Sequence, residues 1–267
     1  MGQGLKTLLV IVGLGLALYA GLLGLLWWGQ EKLLFHPHPL PADHRFRVDA
    51  DVHETWVDVP GARLNALHLR LPEPQGVVFF LHGNAGNLDS WFTSADFYRR
   101  ANIDLFMLDY RGYGKSTGRI QSQDQLLADV RAAWAQLEPR YAGKRRVIYG
   151  RSLGTGPAAM LAADVQPELT VLVSPYFSMA ELAREHYPWV PSALLRYPLA
   201  TGEALARVKG PVLLVDGGRD TLIPPAHSQR LREVAPHATL LHLPEGGHND
   251  LHLLPAYVEG MSAALKR

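Results

Sequence analysis

The chain has 267 residues, of which 48% are hydrophobic and 19% charged, and its formal net charge is +1. The near balance of charge argues against a nucleic-acid-binding protein, which normally carries a basic surface, and the hydrophobic content excludes a disordered chain. The absence of cysteine excludes disulfides, thiolate catalysis and cysteine-ligated metal centres.

The amino-terminal thirty residues form an apolar segment that differs from the rest of the chain. Lys6 is the only charged side chain before Glu31, and residues 8–28 carry none. Because 21 helical residues extend about 30 Å, this run predicts a transmembrane helix that ends at the interfacial aromatics Trp27 and Trp28. A cleaved signal peptide, whose apolar region would span only about 7–15 residues, and a buried core helix are the alternatives.

The chain divides into an anchor over residues 1–30, a linker over 31–48 and one folded domain over 49–267. The linker contains FHPHPLPADHR at 35–45, whose three histidines lack the regular spacing of a metal site. We expect no metal and no cofactor. A short segment before an amino-terminal anchor favours a domain on the extracytoplasmic side, although the flanking charges do not settle the orientation.

The domain begins with alternating apolar and polar residues at His53–Val59 and Leu64–Leu71, which predict an antiparallel hairpin around a turn. Short apolar runs follow and are typical of strands buried on both faces of a parallel sheet. These runs are VVFFL at 77–81, IDLFML at 103–108, RVIY at 146–149, LTVLV at 169–173, PVLLV at 211–215 and ATLLHL at 238–243.

Helical patterns separate these strands at about 87–100, 122–138, 153–164, 226–235 and 250–265. The alternation predicts an α/β protein, a three-layer α/β/α sandwich with a mostly parallel sheet and an amino-terminal transmembrane helix.

Residues 174–209 interrupt the alternation and are rich in aromatic residues and proline. We interpret them as a short helical insertion over the carboxyl edge of the sheet, where open α/β folds bind ligands. Tyr176, Phe177 and Trp189 are its candidate substrate-binding residues. A crossover helix with an irregular tail is the alternative.

Residues 150–154 read G-x-S-x-G, between the strand RVIY and a helix rich in small residues. In this strand–turn–helix context a serine occupies a strained turn with its hydroxyl exposed, so Ser152 is the candidate nucleophile. A serine hydroxyl needs a base that accepts its proton. One common chain order places the acid after the serine and the histidine last.

His248 is the candidate base because it lies in the glycine-rich segment PEGGHND just after the last strand. His242 lies within that strand, and His252 is expected at the surface. Asp220 is the candidate acid, since it follows PVLLV on a loop long enough to reach back. Asp216 ends that strand and is expected to hold the turn, and Asp250 is too near His248 in sequence; both remain alternatives to Asp220.

Two backbone N–H groups are needed to stabilise an oxyanion during acyl transfer. Leu153, the residue after the nucleophile, supplies one, and Asn84 in HGNAGN is the candidate for the other. His82, an alternative catalytic residue, is expected to brace this loop by hydrogen bonds. Asp109 and Arg111 are expected to be structural, because the glycines around them complete no phosphate-binding motif.

The ordered motifs HGNAGN, DYRGYGKSTG, GRSLGTG, GGRDTLIP and GGHND resemble those of the α/β-hydrolase superfamily. With the anchor and the segment EKLLFHP, the chain is similar to single-pass, membrane-anchored serine hydrolases whose eukaryotic relatives include protein depalmitoylases. The resemblance implies a serine hydrolase that acts on esters or thioesters of a small or lipid-like acyl substrate. A serine peptidase or amidase is the alternative enzyme, and a catalytically silent anchored binding protein is the alternative of another class.

Overall fold

A computed structural model describes residues 2–93 and 95–266. Met1, Ser94 and Arg267 lie outside the described residues; they belong to the predicted anchor, the predicted helix at 87–100 and the predicted domain.

The described residues form ten strands and ten α-helices. They are α1 (Gln3–Trp28), α2 (Gln30–Leu34), β1 (His36–Pro37), β2 (Val52–Val59), β3 (Ala62–Leu69), β4 (Gly76–Leu81), β5 (Ala85–Gly86), α3 (Leu88–Trp91), α4 (Ala95–Arg100), β6 (Asp104–Leu108), α5 (Gln123–Leu137), β7 (Arg145–Arg151), α6 (Thr155–Val165), β8 (Leu169–Val173), α7 (Met179–His186), α8 (Thr201–Leu205), β9 (Val212–Gly217), α9 (Ala226–Val234), β10 (Thr239–Leu243) and α10 (Pro255–Lys266).

Eight strands form one sheet in the order β10-β9-β8-β7-β4-β6-β3-β2. The neighbours from β10 to β6 pair in parallel, whereas β3 runs antiparallel to both β6 and β2. The predicted hairpin and the predominantly parallel sheet are therefore confirmed. Both faces of the sheet are covered, so the continuous apolar runs are buried on both sides.

Strand β4 shows how the two cores are divided. Val77, Phe79 and Leu81 pack with α5, α6, α8 and α9 on one face, and Val78 and Phe80 pack with α3, α4 and α10 on the other. Because side chains alternate across a strand, one buried strand supplies both cores. The predicted three-layer sandwich is confirmed.

The segment predicted to be a linker is in part docked onto the domain. Strand β1 pairs in parallel with β5, in the loop that follows β4. Further along, Leu40 N–H donates to Gly114 O at 2.7 Å. Sequence patterns missed this pairing because two-residue strands carry no periodicity.

The insertion at 174–209 contains the two short helices α7 and α8 and a single 3-10 turn, Ser192–Leu194. The turn and the segments around it follow no regular periodicity. Helix α1 is a single apolar helix of 26 residues, none of them buried in the structure, with a mean hydropathy of 2.4 over its most apolar stretch. Its length and composition are those of a membrane span, and a signal sequence would meet the same criteria.

A buried ion pair holds the loop after β6 against α5. Two nitrogens of the Arg111 guanidinium donate to the Asp129 carboxylate, Nε at 2.5 Å and Nη2 at 2.8 Å. Asp129→Ala leaves the arginine charge buried and unpaired, so we expect a loss of about 3–5 kcal/mol in unfolding free energy. Urea unfolding of the purified protein in detergent, followed by circular dichroism, measures it.

Asp164→Ala is the matched control, because the Arg131–Asp164 pair is half exposed. Removing it is expected to cost only about 0–1 kcal/mol. Equal losses in the two variants would contradict the structural role given to the buried pair.

Candidate active site

Ser152 occupies the tight turn between β7 and α6. Its φ of +51° lies in the left-handed region, which costs energy for a residue with a side chain. The turn closes only because Gly150 and Gly154 lack side chains: a Cβ on Gly150 would overlap Gly154 O, and one on Gly154 would overlap Leu81 O. The conformation lifts the serine hydroxyl to the carboxyl edge of the sheet.

The structure brings Ser152, His248 and Asp220 together from three separate loops. His248 Nε2 lies 2.9 Å from Ser152 Oγ, and His248 Nδ1 lies 2.7 Å from Asp220 Oδ2. Each distance is within hydrogen-bonding range. The three side chains form one continuous chain of hydrogen bonds at the carboxyl ends of β7, β9 and β10.

The environment of Asp220 keeps its carboxylate ionised. Burial by itself would raise the pKa of Asp220, but hydrogen bonds from His248 and from the N–H groups of Ile223 and Leu222 outweigh burial and lower it. An ionised carboxylate only accepts, so His248 Nδ1 carries a proton and Nε2 offers its lone pair to Ser152. This tautomer is the one that general-base catalysis needs.

The alternative acids engage other partners. Asp216 Oδ1 lies 2.6 Å from Nδ1 of His242 on the neighbouring strand, and Asp250 accepts a hydrogen bond from Gly247 N–H at 2.6 Å. His252 is exposed, and its Nδ1 lies 3.5 Å from Arg151 Nη1. None of these contacts reaches Ser152.

The loop HGNAGN lies directly against the serine. A Cβ built on Gly83 would stand 3.7 Å from Ser152 Cβ. The Asn84 amide N–H donates no hydrogen bond to the part of the chain that the structure describes. A free donor beside the serine is what the predicted oxyanion contact requires.

Both predicted oxyanion donors belong to peptide units whose carbonyl is held. Asn84 N–H shares a planar peptide with Gly83 O, which accepts from His82 Nδ1 at 2.7 Å. Leu153 N–H shares a peptide with Ser152 O, which accepts from Thr155 Oγ1 at 2.7 Å. Because N–H and C=O point in opposite directions across a trans peptide, holding each oxygen also aims each N–H.

A buried carboxyl group faces the other nitrogen of the His82 ring. Its Nε2 faces Asp109 Oδ1 at 3.4 Å, and neither atom has a hydrogen-bond partner among the described residues. Burial raises the pKa of Asp109, more than the contacts with His82 and Leu88 N–H lower it. Because a carbonyl oxygen only accepts, His82 Nδ1 carries the proton that it donates to Gly83 O.

The docked segment after the anchor completes the support of this loop. Asn84 O accepts hydrogen bonds from His36 N–H at 2.8 Å and from the Tyr113 hydroxyl at 2.6 Å. Asn87 Nδ2 donates to His38 O at 2.8 Å. The motifs HGNAGN and DYRGYG carry no sequence signal of these supports.

Arg151 occupies the unspecified position before the serine in G-x-S-x-G, and the motif did not reveal its contacts. Its Nη2 donates to His248 O at 3.2 Å, and its guanidinium lies 5.7 Å from the centre of the Trp91 ring. The residue thus ties the serine turn to the backbone of the histidine loop.

The predicted substrate-binding residues occupy three different environments. Tyr176 is fully buried and its hydroxyl donates to Leu153 O at 2.9 Å, so the prediction for Tyr176 is wrong: it supports the turn. Phe177 is half buried with the Arg230 guanidinium 4.2 Å from its ring centre. Trp189 is exposed and lies beside α1.

A cleft of about 730 Å³, lined by both apolar and polar side chains, opens next to Arg151 and Trp91 on the α4 and α10 face. A larger cavity of about 1000 Å³ lies at the amino ends of β7, β8 and β9, the opposite edge from Ser152. Of these two, the cleft is the one that borders Arg151, the residue before Ser152. Within the described residues, no group of three His, Asp or Glu side chains forms a metal site.

Residues 72–200 match the family described as serine aminopeptidase, S33. An uncharacterized protein of Mycobacterium tuberculosis is 32% identical over 97% of this chain and 94% of its own length. Human alpha/beta hydrolase domain-containing protein 17C is 32% identical over 74% of this chain, which spans 60% of that relative.

Solved structures share the fold. An esterase of Pyrococcus furiosus superposes with a TM-score of 0.69 at 19% identity, covering 88% of this chain and 97% of that protein. Est1E of Butyrivibrio proteoclasticus, solved with ferulic acid, gives 0.64 at 18% identity, with 79% and 96% covered. The chain belongs to the α/β-hydrolase superfamily and is a hydrolase, as its ordered motifs predict.

The hold of His82 on Gly83 O can be tested by substitution. His82→Phe keeps an aromatic ring in the buried site but removes the N–H, so we expect kcat on an ester to fall about 10- to 100-fold, less than the about 10²–10³ that loss of an oxyanion donor costs. KM is expected to change little. His82→Gln, which keeps an N–H donor, should recover part of the rate.

Steady-state kinetics and circular dichroism of the folded variants provide the measurement, with His242→Gln as the control at an exposed histidine. An unchanged kcat in folded His82→Phe would mean that the backbone N–H of Asn84 is oriented without the hydrogen bond from His82 to Gly83 O.

Proposed function

We propose that the protein is a membrane-anchored serine hydrolase that cleaves carboxylic ester or thioester bonds through an acyl-enzyme. The observation that carries this proposal is the unbroken hydrogen-bond chain from Ser152 through His248 to Asp220. The backbone N–H of Asn84, which has no partner among the described residues, and the apolar side chains in the cleft near the serine turn support an acyl substrate of small or lipid-like character.

The proposed reaction follows from these positions. Ser152 Oγ attacks the acyl carbon while His248 Nε2 accepts the hydroxyl proton, and Asp220 stabilises the resulting imidazolium. The Asn84 and Leu153 N–H groups bind the oxyanion. His248 then returns the proton to the departing alcohol or thiol, and a water molecule releases the acid by the same steps in reverse.

A serine peptidase or amidase is the second candidate, favoured by the description of the matching family as a serine aminopeptidase. The same three side chains support either reaction, because an amine leaving group also takes its proton from His248. Parallel assays of acyl esters, acyl thioesters and aminoacyl amides of equal acyl length separate the candidates. The assays also test the remaining alternative, an anchored binding protein without turnover.

The anchoring proposal rests on α1, an apolar helix of 26 residues that carries no buried side chain. An uncleaved helix places the domain at a membrane surface, on the extracytoplasmic side in the proposed orientation. Retention of the full-length mass in the membrane fraction, and protease sensitivity of the domain in intact cells, test these two points.

Substitution of the proposed acid tests the triad assignment. Asp220→Asn is expected to lower kcat by about 10⁴, since an amide neither stabilises the imidazolium nor holds the required tautomer. Asp216→Asn and Asp250→Asn are matched controls with far smaller effects, because their carboxylates bind His242 and Gly247. A large loss of kcat in Asp216→Asn together with an unchanged kcat in Asp220→Asn would identify Asp216 as the acid instead.

Covalent labelling tests the nucleophile. A fluorophosphonate probe should label the full-length protein once, at Ser152, because this serine has a base within hydrogen-bonding distance. Ser152→Ala should abolish labelling, whereas Ser228→Ala, at another buried serine, should leave it intact. Persistent labelling of Ser152→Ala, located by peptide mass spectrometry, would identify a different nucleophile.

A further inference from the structure

An exposed apolar segment of the insertion lies beside α1. Residues 187–195, YPWVPSALL, contain no charged side chain, and Tyr187 and Trp189 are 57% and 48% exposed. We propose that this segment, the cap segment, is embedded among the lipid acyl chains of the leaflet that α1 enters. The inference rests on the proposed anchoring by α1.

The depth of the cap segment follows from one contact with the helix. The Tyr19 hydroxyl donates to Trp189 O at 2.7 Å. Tyr19 precedes Trp28 by about nine residues, or about 13 Å along a helix. If Trp27 and Trp28 lie at the membrane interface, where such aromatics concentrate, Trp189 lies well inside the hydrocarbon.

Charged and amide side chains make the contacts just past the end of α1, at the depth assigned to the membrane interface. Gln30 Nε2 donates to Leu194 O at 2.7 Å and Gln30 Oε1 accepts from Arg196 N–H at 2.8 Å. Glu31 pairs with Arg196 at 2.8 Å and accepts from the Tyr197 hydroxyl at 2.8 Å. Along the helix, the contact before Trp28 joins the uncharged residues Tyr19 and Trp189, and the charged contacts come after Trp28, which is the order of hydrocarbon and headgroup in a bilayer.

Part of the backbone of the cap segment is satisfied within the protein, which matters in an apolar medium because unpaired polar groups are costly there. Pro188 and Pro191 have no amide N–H. The amides of Val190 and Leu194 donate to Tyr187 O and Pro191 O, and Tyr19 satisfies the Trp189 carbonyl.

Short contacts connect the cap segment to the proposed acid. His186, the residue before the segment, places Nε2 2.9 Å from Leu222 O. Leu222 N–H donates to Asp220 Oδ1 at 3.0 Å, and the Leu222 side chain is half exposed. An embedded cap segment therefore holds the Asp220 side of the site at the membrane surface, where acyl substrates dissolved in the leaflet arrive.

The depth can be measured directly because the chain has no cysteine. Single variants Trp189→Cys, Ile11→Cys and Leu253→Cys of the full-length protein take a nitroxide label in phosphatidylcholine vesicles. Ile11 lies within α1 and is 60% exposed; Leu253 lies beyond the His248 loop and is 71% exposed. Power-saturation spectroscopy compares label access to oxygen and to a water-soluble nickel complex.

We expect the labels at 189 and at 11 both to favour oxygen, while the label at 253 favours the nickel complex. A lipid-exposed label at 11 with a water-exposed label at 189 overturns the inference and leaves the anchor intact. Water-exposed labels at both positions overturn the anchoring proposal and the inference together. Neither outcome depends on the enzyme activity.

Activity provides an independent comparison. Tyr187→Asp places a charge in the cap segment, which is costly in hydrocarbon, so hydrolysis of a long-chain acyl ester in vesicles should fall about tenfold or more. Hydrolysis of a water-soluble short ester should not change. Leu253→Asp, the matched control, should alter neither rate; equal losses on both substrates in Tyr187→Asp would contradict the inference.

Discussion

The strained backbone of Ser152 is the constraint on which the rest of the site depends. A left-handed φ at a residue with a side chain persists only when the surroundings enforce it. Here Gly154 packs onto the carbonyl groups that end β4, and Gly150 packs onto the start of α6. Strands β4 and β7, at the centre of the sheet, thereby fix the serine hydroxyl at the carboxyl edge. The loops after β9 and β10 bring Asp220 and His248 to the same edge.

Fixed peptides, rather than mobile side chains, form the proposed oxyanion site. Gly83 O and Ser152 O are each held by a neighbouring side chain, His82 and Thr155, so the opposite N–H groups are aimed before a substrate binds. Donors that are oriented in advance cost no reorganisation during the reaction. The buried Asp109 extends this support one layer deeper, to the end of β6.

The sequence predicted the three layers of the fold, and it also predicted that Ser152, Asp220 and His248 lie together. Both predictions rest on local patterns of apolar and loop residues. Apolar runs of five or six residues predict buried strands, and loops after parallel strands meet at one edge. Tyr176 was assigned wrongly, since an aromatic residue in an insertion carries no signal of whether its ring faces solvent or the core. The pairing of His36 with the loop after β4 and the contact of Arg151 with His248 were missed because they join segments remote in sequence with no periodicity.

The docking of β1 has a mechanical consequence. Helix α1 is about 39 Å long, whereas the hydrocarbon core of a bilayer is about 30 Å thick, so a helix that spans it tilts to fit. Only α2 lies between Trp28 and His36 among the described elements, and His36 N–H is bonded to Asn84 O. In the proposed anchored state this short connection couples the tilt of α1 to the loop beside the serine, so bilayer thickness is expected to affect the reaction rate.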